Sequence, residues 1–300
     1  MKPAPFRYVR PSSVDEAISV LAAEGYGAKP LAGGQSLIPT MNFRLALPAV
    51  LVDLDRLDEL RGIRDGSAGG GVDGLHDGLY IGAMTRQSEV ERSAAVREKA
   101  PLLAEAMPWI AHPQIRNRGT VGGSLAHADP AAELPAVMLA LDARVHLRGP
   151  GGDRTVQFCD FCTGFFSTAL APDELVTGVE IPALPAGTGT AFEEISRRKG
   201  DFALVGACAV LSLDPGGTCT RASVTLLSVG DGPVCAKTAE EALRGRVLTP
   251  DAFRDAAEAA AMRDIDPTAD IHASAAYRRQ LTRVLTARVL ERAARRAVGA

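Results

Sequence analysis

Two short segments constrain this chain more than anything else in it. They are Pro30-Leu-Ala-Gly-Gly-Gln-Ser-Leu-Ile38 and Gly119-Thr-Val-Gly-Gly-Ser-Leu-Ala126. Each is built on a glycine pair flanked by hydroxyl or amide side chains. Paired glycines let the backbone approach a ligand closely and aim successive N–H groups at one point. Such nests bind phosphate oxygens, and a helix starting just after them adds a favourable dipole. Gln35, Ser36, Thr120 and Ser124 would add side-chain donors. Two such loops could grip a diphosphate from both sides. From the residues alone the ligand is a dinucleotide or another phosphate compound, and the alternative that each pair merely makes a tight turn stays open.

Other phosphate signatures fail. No Gly-Lys-Ser/Thr is present, so there is no P-loop. Gly69-Gly-Gly-Val-Asp-Gly74 satisfies the spacing of a dinucleotide fingerprint. That fingerprint must open a helix, whereas here polar loop residues surround it and a strand follows. It reads as a surface hairpin turn.

Around the glycine loops the chain alternates helix and strand. Val14, Ala17, Ile18, Leu21 and Ala22 fall on one helical face, with Ser12 or Ser13 as N-cap and Gly25 as terminator. Residues 29–32, 50–54, 79–83 and 143–147 read as strands. Residues 85–93, 102–110 and 131–141 read as helices. The second half changes character: strands at 175–181, 190–195, 202–213 and 222–229 precede helices at 238–244, 250–261 and 274–298. Strands followed by helices indicate an α+β domain. The Pro/Gly-rich stretch Pro182 to Gly189 is the expected boundary, which gives domains 1–180 and 181–300.

Composition excludes several classes. The 46% hydrophobic content of 300 residues suffices for two ordinary cores, and a net charge of −3 suggests no nucleic-acid partner. The last helix carries seven arginines between Ala276 and Val298, but Tyr277, Leu281, Val284, Leu285 and Val289 give it an apolar stripe. The arginines are expected to coat its wet face. No apolar run is long enough to span a bilayer and no signal core opens the chain, so a cytoplasmic protein is expected. Five widely spread cysteines argue against a disulfide framework. Cys159-Asp-Phe-Cys162 lacks the second pair that a zinc or iron–sulfur site needs, so it reads as two ordinary thiols at a turn, with a redox dithiol as the open alternative.

The sequence resembles a known family over nearly its whole length. Pro30 to Ala46 followed by Leu51-Val-Asp-Leu54, Pro113-Gln-Ile-Arg-Asn-Arg-Gly-Thr-Val-Gly-Gly-Ser-Leu-Ala-His-Ala-Asp-Pro-Ala-Ala-Glu-Leu-Pro135, and Arg197-Arg-Lys-Gly-Asp-Phe-Ala203 are similar to the FAD-binding medium subunit of the carbon monoxide dehydrogenase and xanthine dehydrogenase family. Phe165-Phe166, Pro172-Asp-Glu-Leu175 and Ile181-Pro182 fit as well. The resemblance implies an α+β fold: an N-terminal FAD-binding region of the PCMH type with two α/β subdomains, then a C-terminal domain of a small antiparallel sheet plus helices. It implies non-covalent FAD. Ala32, Gly33, Gly34, Gln35 and Ser36, with Thr120, Gly122, Gly123 and Ser124, would hold the diphosphate and ribityl chain. Leu31, Leu37 and Ile38 would flank them. Asp129 and Glu133 would lie near the ribityl and adenosine portions. Val176, Lys199 and Phe202 would approach the isoalloxazine, with Phe202 as an aromatic cover.

The resemblance further implies partners: a large subunit with molybdopterin and a small one with two [2Fe–2S] clusters, assembled as a dimer of heterotrimers. Electrons would pass from the clusters to this FAD and on to an external acceptor. No general acid or base is needed on this chain, and His112 and His127 read as ordinary loop residues. Two positions depart from the family pattern. Gln35 stands where many relatives have histidine, which leaves no histidine in that loop for a covalent flavin bond. Glu194 stands where lysine is expected; a carboxylate facing the ring would disfavour flavin reduction, and the favoured expectation is that it points to solvent. A self-contained flavin oxidase would need a catalytic base with a supporting motif, and none is found. An assembly subunit that had lost FAD would not keep both glycine loops intact.

Overall fold

The computed structural model describes residues 2–65 and 78–299. The hairpin expected at Gly69 to Gly74 lies outside the described residues. The first unit is small: β1 (Arg7–Val9), α1 (Val14–Glu24), β2 (Ala28–Leu31), α2 (Leu37–Asn42) and β3 (Val50–Asp53). Ser13 caps α1 by accepting from the Glu16 amide at 3.1 Å, and Gly25 ends it at φ +53°. β3 lies in the middle, parallel to both β1 and β2. All four β3 residues are buried, as expected of a central strand covered on both faces. Val14, Ala17, Ile18 and Leu21 of α1 cover one face.

The second unit starts with β4 (Ile63–Asp65) and β5 (Leu79–Gly82). Helices α3 (Gln87–Arg92), α4 (Ala94–Lys99), α5 (Pro101–Ala106), α6 (Pro113–Arg116), α7 (Val121–His127) and α8 (Glu133–Ala140) follow. Then come β6 (Arg144–Gly149), β7 (Gly152–Gln157), α9 (Phe158–Phe161), β8 (Cys162–Gly164), β9 (Ser167–Thr168) and β10 (Leu175–Ile181). The sheet order is β4-β5-β10-β6-β7, antiparallel throughout. The single helix expected over 102–110 stops at Ala106 and continues as one 3₁₀ turn over Met107–Trp109. Pro108 removes a backbone donor there.

The third unit is β11 (Thr188–Ser196), β12 (Ala203–Leu213), β13 (Cys219–Leu227) and β14 (Val234–Cys235), a four-stranded antiparallel sheet in sequence order. Helices α10 (Lys237–Leu243), α11 (Pro250–Ala259) and α12 (Ala275–Val298) cover one face. The other face packs on the second unit: Phe192, Cys208, Val210 and Leu227 share a core with α5 and α8. This explains why β12 is buried at every position but its last, and why α8 is apolar nearly all round. The helices and antiparallel sheets together make the expected α+β fold.

The arginines of α12 correct one expectation. Arg283, Arg288 and Arg295 do carry much of their side chains in solvent. Arg278 instead is 7% exposed and donates to the carbonyls of Leu204 and Ser228. Arg292 donates to Phe192 O, and Arg296 to Thr190 O and Glu105. These guanidiniums satisfy strand carbonyls that the helix would otherwise cover.

Candidate functional site

The two glycine loops meet backbone to backbone. A β-carbon on Gly33 would overlap the Arg118 carbonyl oxygen and lie 2.8 Å from Gly119 Cα. One on Gly123 would lie 2.7 Å from Thr120 Oγ1 and 3.2 Å from the Ala32 β-carbon. One on Gly122 would lie 2.5 Å from Ala83 Cβ. The glycines are therefore required first by the fit of the loops to each other and to β5, whatever they bind.

Each loop is fixed by its own element. The first leaves β2 at Leu31, turns through Gly34 at φ +73° and enters α2. Gln35 folds back so that its Nε2 donates to Gly33 O at 3.1 Å. The second enters α7 at Thr120, whose Oγ1 accepts from the Gly123 amide at 3.1 Å. Arg86 ties the loops to the frame. It is 8% exposed, donates to Arg118 O and pairs with Asp55, just beyond β3.

Beside this contact opens a cavity of about 410 Å³. Its lining takes in Leu31, Ala32, Gly33, Gly34, Gln35 and Ile38, all named from the sequence. It adds Pro39, Asp53 and Arg118, which sequence reasoning missed. Asp53 ends β3, is 8% exposed, accepts the Tyr8 hydroxyl and the Asp55 amide, and has Arg10 Nε at 3.7 Å. The Leu51-Val-Asp-Leu54 segment marked this strand; nothing in it indicated that the carboxylate faces the loop of β2.

The remaining predicted residues spread outward from the loops. Ser36 is exposed and Leu37 half-buried at the start of α2, while Ser124 is half-buried on α7. Asp129 accepts from the Ala131 amide at 2.9 Å, and Glu133 is buried as the first residue of α8. Val176 is 6% exposed, with its side chain in the shared core rather than in an open site. Lys199 and Phe202 lie on the exposed turn between β11 and β12, with Phe202 71% exposed. That turn packs on the second unit: a β-carbon on Gly200 would overlap the His112 ring. His127, ending α7, stacks on Phe166 with centroids 5.0 Å apart.

Glu194 does not point to solvent, contrary to the sequence expectation. It is 3% exposed, and among the described residues neither carboxylate oxygen has a hydrogen-bond partner. On β11 it shares a face with Phe192, the face that packs on the second unit, so tertiary packing overrides its polarity. The thiols of the CxxC segment are pushed up by burial, Cys162 to about 11, which leaves them protonated and inert near neutral pH.

These features fit a dinucleotide: a backbone cradle too tight for side chains and an adjoining cavity of ligand size. The comparisons agree. A profile described as the FAD binding domain in molybdopterin dehydrogenase matches residues 4–184, and one for the CO dehydrogenase flavoprotein C-terminal domain matches residues 190–293. The chain is 41% identical over 297 residues to the carbon monoxide dehydrogenase medium chain of Afipia carboxidovorans, covering 99% of each. It is 43% identical to the 6-hydroxypseudooxynicotine dehydrogenase complex subunit alpha of Paenarthrobacter nicotinovorans, covering 99% of this chain and 97% of that one. It superposes on carbon monoxide dehydrogenase from Hydrogenophaga pseudoflava with a TM-score of 0.91 at 40% identity, covering 98% of each chain. On quinoline 2-oxidoreductase from Pseudomonas putida 86 the TM-score is 0.90 at 39% identity, covering 99% of each chain. The fold and its glycine cradle define an FAD-binding subunit, and the chain belongs to the medium-subunit family of the molybdenum hydroxylases.

Proposed function

We propose that this chain carries electrons, through FAD held between its two glycine loops, from [2Fe–2S] clusters of a partner to an external acceptor. The observation that carries the reading is the contact of Gly33 with Arg118 and Gly119, which merges two sequence-distant loops into one backbone cradle. Ala32 to Ser36 and Thr120 to Ser124 would hold the diphosphate and ribityl chain, flanked by Leu31, Leu37 and Ile38. The cavity floored by Asp53 suits the adenosine half, its carboxylate accepting from ribose hydroxyls. Asp129 and Glu133 would lie near the ribityl and adenosine portions. The backbone at Val176, together with Lys199 and Phe202, would edge the isoalloxazine.

Bound FAD supplies electron exchange between a one-electron centre and an acceptor; the protein supplies binding, orientation and a shaped environment. Gln35 is engaged with Gly33 O and offers no imidazole for a covalent link, so the cofactor is held non-covalently. We divide the chain functionally into an FAD-binding region, 1–180, and a C-terminal domain, 181–300. The partners are a molybdopterin-binding large subunit and an iron–sulfur small subunit, in a dimer of heterotrimers. In support, relatives are named as medium chains or as a subunit of a dehydrogenase complex. Among the described residues, no helix is long and apolar enough to cross a membrane. Five free cysteines suit the reducing cytoplasm.

A visible spectrum of the purified chain, followed by heating and chromatography of any yellow compound, tests the reading. FAD released without protease is the expected result, and tagged chain is then expected to co-purify with subunits containing molybdenum and iron–sulfur clusters. Protein that stays colourless in excess FAD overturns it.

A further inference from the structure

The seam between the C-terminal sheet and the FAD-binding region is buried and well bonded, yet it encloses two acids. Thr225 Oγ1 of β13 donates to Ala136 O of α8 at 2.8 Å, and the Ser228 amide donates to Pro130 O at 2.9 Å. Within this seam lie Glu133, 7% exposed at the start of α8, and Glu194, 3% exposed on β11. Glu194 stands opposite Gly206 on β12. A β-carbon on Gly206 would lie 3.2 Å from Glu194 Cβ and 2.5 Å from Leu227 Cδ2, so apolar packing closes that side.

The neighbouring charges do not neutralise the pair. Arg116, the cation facing Glu133, is committed: it grips Glu91 at 2.8 and 3.0 Å and donates to Ile110 O at 2.7 Å. Asp129 adds another negative charge beside Glu133. On the sheet, Glu194 faces the buried Cys208 thiol. Glu105, which also acts on that thiol, is paired with Arg296. Among the described residues, both Glu194 oxygens lack a hydrogen-bond partner. Two carboxylates cannot both stay ionised in a low-dielectric site without a cation.

We propose that Glu133 and Glu194 retain one proton between them at neutral pH, with Glu194 as the neutral acid, and that this proton holds the C-terminal sheet closed on α8, the helix after α7. Burial acts first on both: with the charge of Glu133 added it raises Glu194 to about 9, and with the charge of Asp129 added it raises Glu133 to about 7. Because the folded state keeps protons that the unfolded chain releases in the ordinary carboxylate range, this contribution to stability is fully present at acidic pH. It is lost as pH rises through the folded values. Deprotonation sends the proton to solvent and leaves two buried negative charges pushing the C-terminal sheet away from the FAD-binding region. FAD held beside α7 is then released more readily, a consequence that rests on the site reading above.

The test uses the full chain. Thermal midpoints of the FAD-free protein are measured from about pH 5 to about pH 10, a range bracketing both acids. The wild type is expected to lose stability across it, Glu194→Gln to flatten the fall, and Glu194→Lys to reverse its upper part through an ion pair with Glu133. Infrared spectra of unaltered protein at neutral pH should contain a protonated-carboxyl carbonyl band that shrinks in alkali. Parallel stability curves for wild type and Glu194→Gln, or no such band in the wild type, overturn the proposal even if the variants fold poorly. The FAD release rate, measured separately, should rise with pH in the wild type only. A flat release rate with the stability slope intact would refute the link to the cofactor and leave the seam assignment standing.

Discussion

The α-carbon of Gly33 lies so close to the carbonyl of Arg118 that no side chain fits between the two glycine loops. This contact joins the loop after β2 to the turn between α6 and α7. Gly33→Ala must therefore push the loops apart by moving backbone, a change that costs about 1–3 kcal/mol when a well-packed site is overfilled. We expect a lowered thermal midpoint and FAD affinity weakened by roughly tenfold or more. Gly123→Val is expected to abolish FAD binding too, but for a reason the sequence did not indicate. The new side chain meets Thr120 Oγ1 and Ala32 before it meets any ligand. Titration of apoprotein with FAD, followed by flavin fluorescence, checks both; full-strength binding by either variant rejects the cradle.

Arg86 is the tether of that cradle. Its side chain is 10% exposed, against 25% for Asp55, and it also serves Arg118 O. Arg86→Met keeps the apolar stem but leaves the Asp55 carboxylate with Arg61 alone, and leaves a carbonyl without its donor. Losing a buried charged hydrogen bond costs about 1.5–3 kcal/mol. Denaturant unfolding should show that loss without a change in slope, and FAD should bind more weakly in proportion. An unchanged midpoint would mean that the two units are held together elsewhere.

Much of this architecture can be read from local pattern, because much of it is set locally. The Ser13 cap, the apolar face of α1 and the strand Leu175–Ile181 follow from residues within a turn or two of each other. The glycine loops are legible because only glycine tolerates such approach. What escaped is set at long range. β7 is a polar, solvent-facing strand that exists only because β6 pairs with it. Asp53 reaches the cavity because β3 lies in the middle of its sheet. Glu194 and Arg278 look like surface residues until α8 and the strand carbonyls are placed over them. The alternation of β11 announces two faces but not that both are covered.

Thr120 separates capping from ligand contact. Its hydroxyl is buried against the Gly123 amide, and Thr→Ala at an N-cap costs about 1 kcal/mol. Thr120→Ser should retain both stability and FAD binding, because the oxygen survives. Thr120→Ala should lose about that stability and weaken FAD. A serine variant as impaired as the alanine one would show that the methyl group, not the cap, matters.

Phe202 offers a test of the flavin's position that the protein's own packing does not confuse. With 71% of its surface in solvent, it contributes little to the core, so Phe202→Ala should leave the unfolding free energy within about 0.5 kcal/mol of wild type. An aromatic cover on the isoalloxazine quenches its fluorescence and shields it from solvent. Removing the ring should brighten bound FAD and speed its reaction with small oxidants. Unchanged emission with FAD fully bound would place the isoalloxazine elsewhere.

The cavity beside the first loop distinguishes the two halves of the cofactor. Asp53 is held by Tyr8 and by the Asp55 amide, so its carboxylate is already oriented before any ligand arrives. Burial of that charge is tolerable because Arg10 stands at 3.7 Å. If ribose hydroxyls of the adenosine half complete its hydrogen bonds, Asp53→Asn should cost about 1.5–3 kcal/mol, or roughly ten- to hundredfold in FAD affinity. FMN lacks that half and should bind wild type and variant equally, at whatever lower affinity the diphosphate cradle alone provides. Parallel titrations with FAD and FMN give the answer directly. Equal losses for both ligands would mean that Asp53 acts by supporting the loop of β2, and the cavity would then not be the adenosine site.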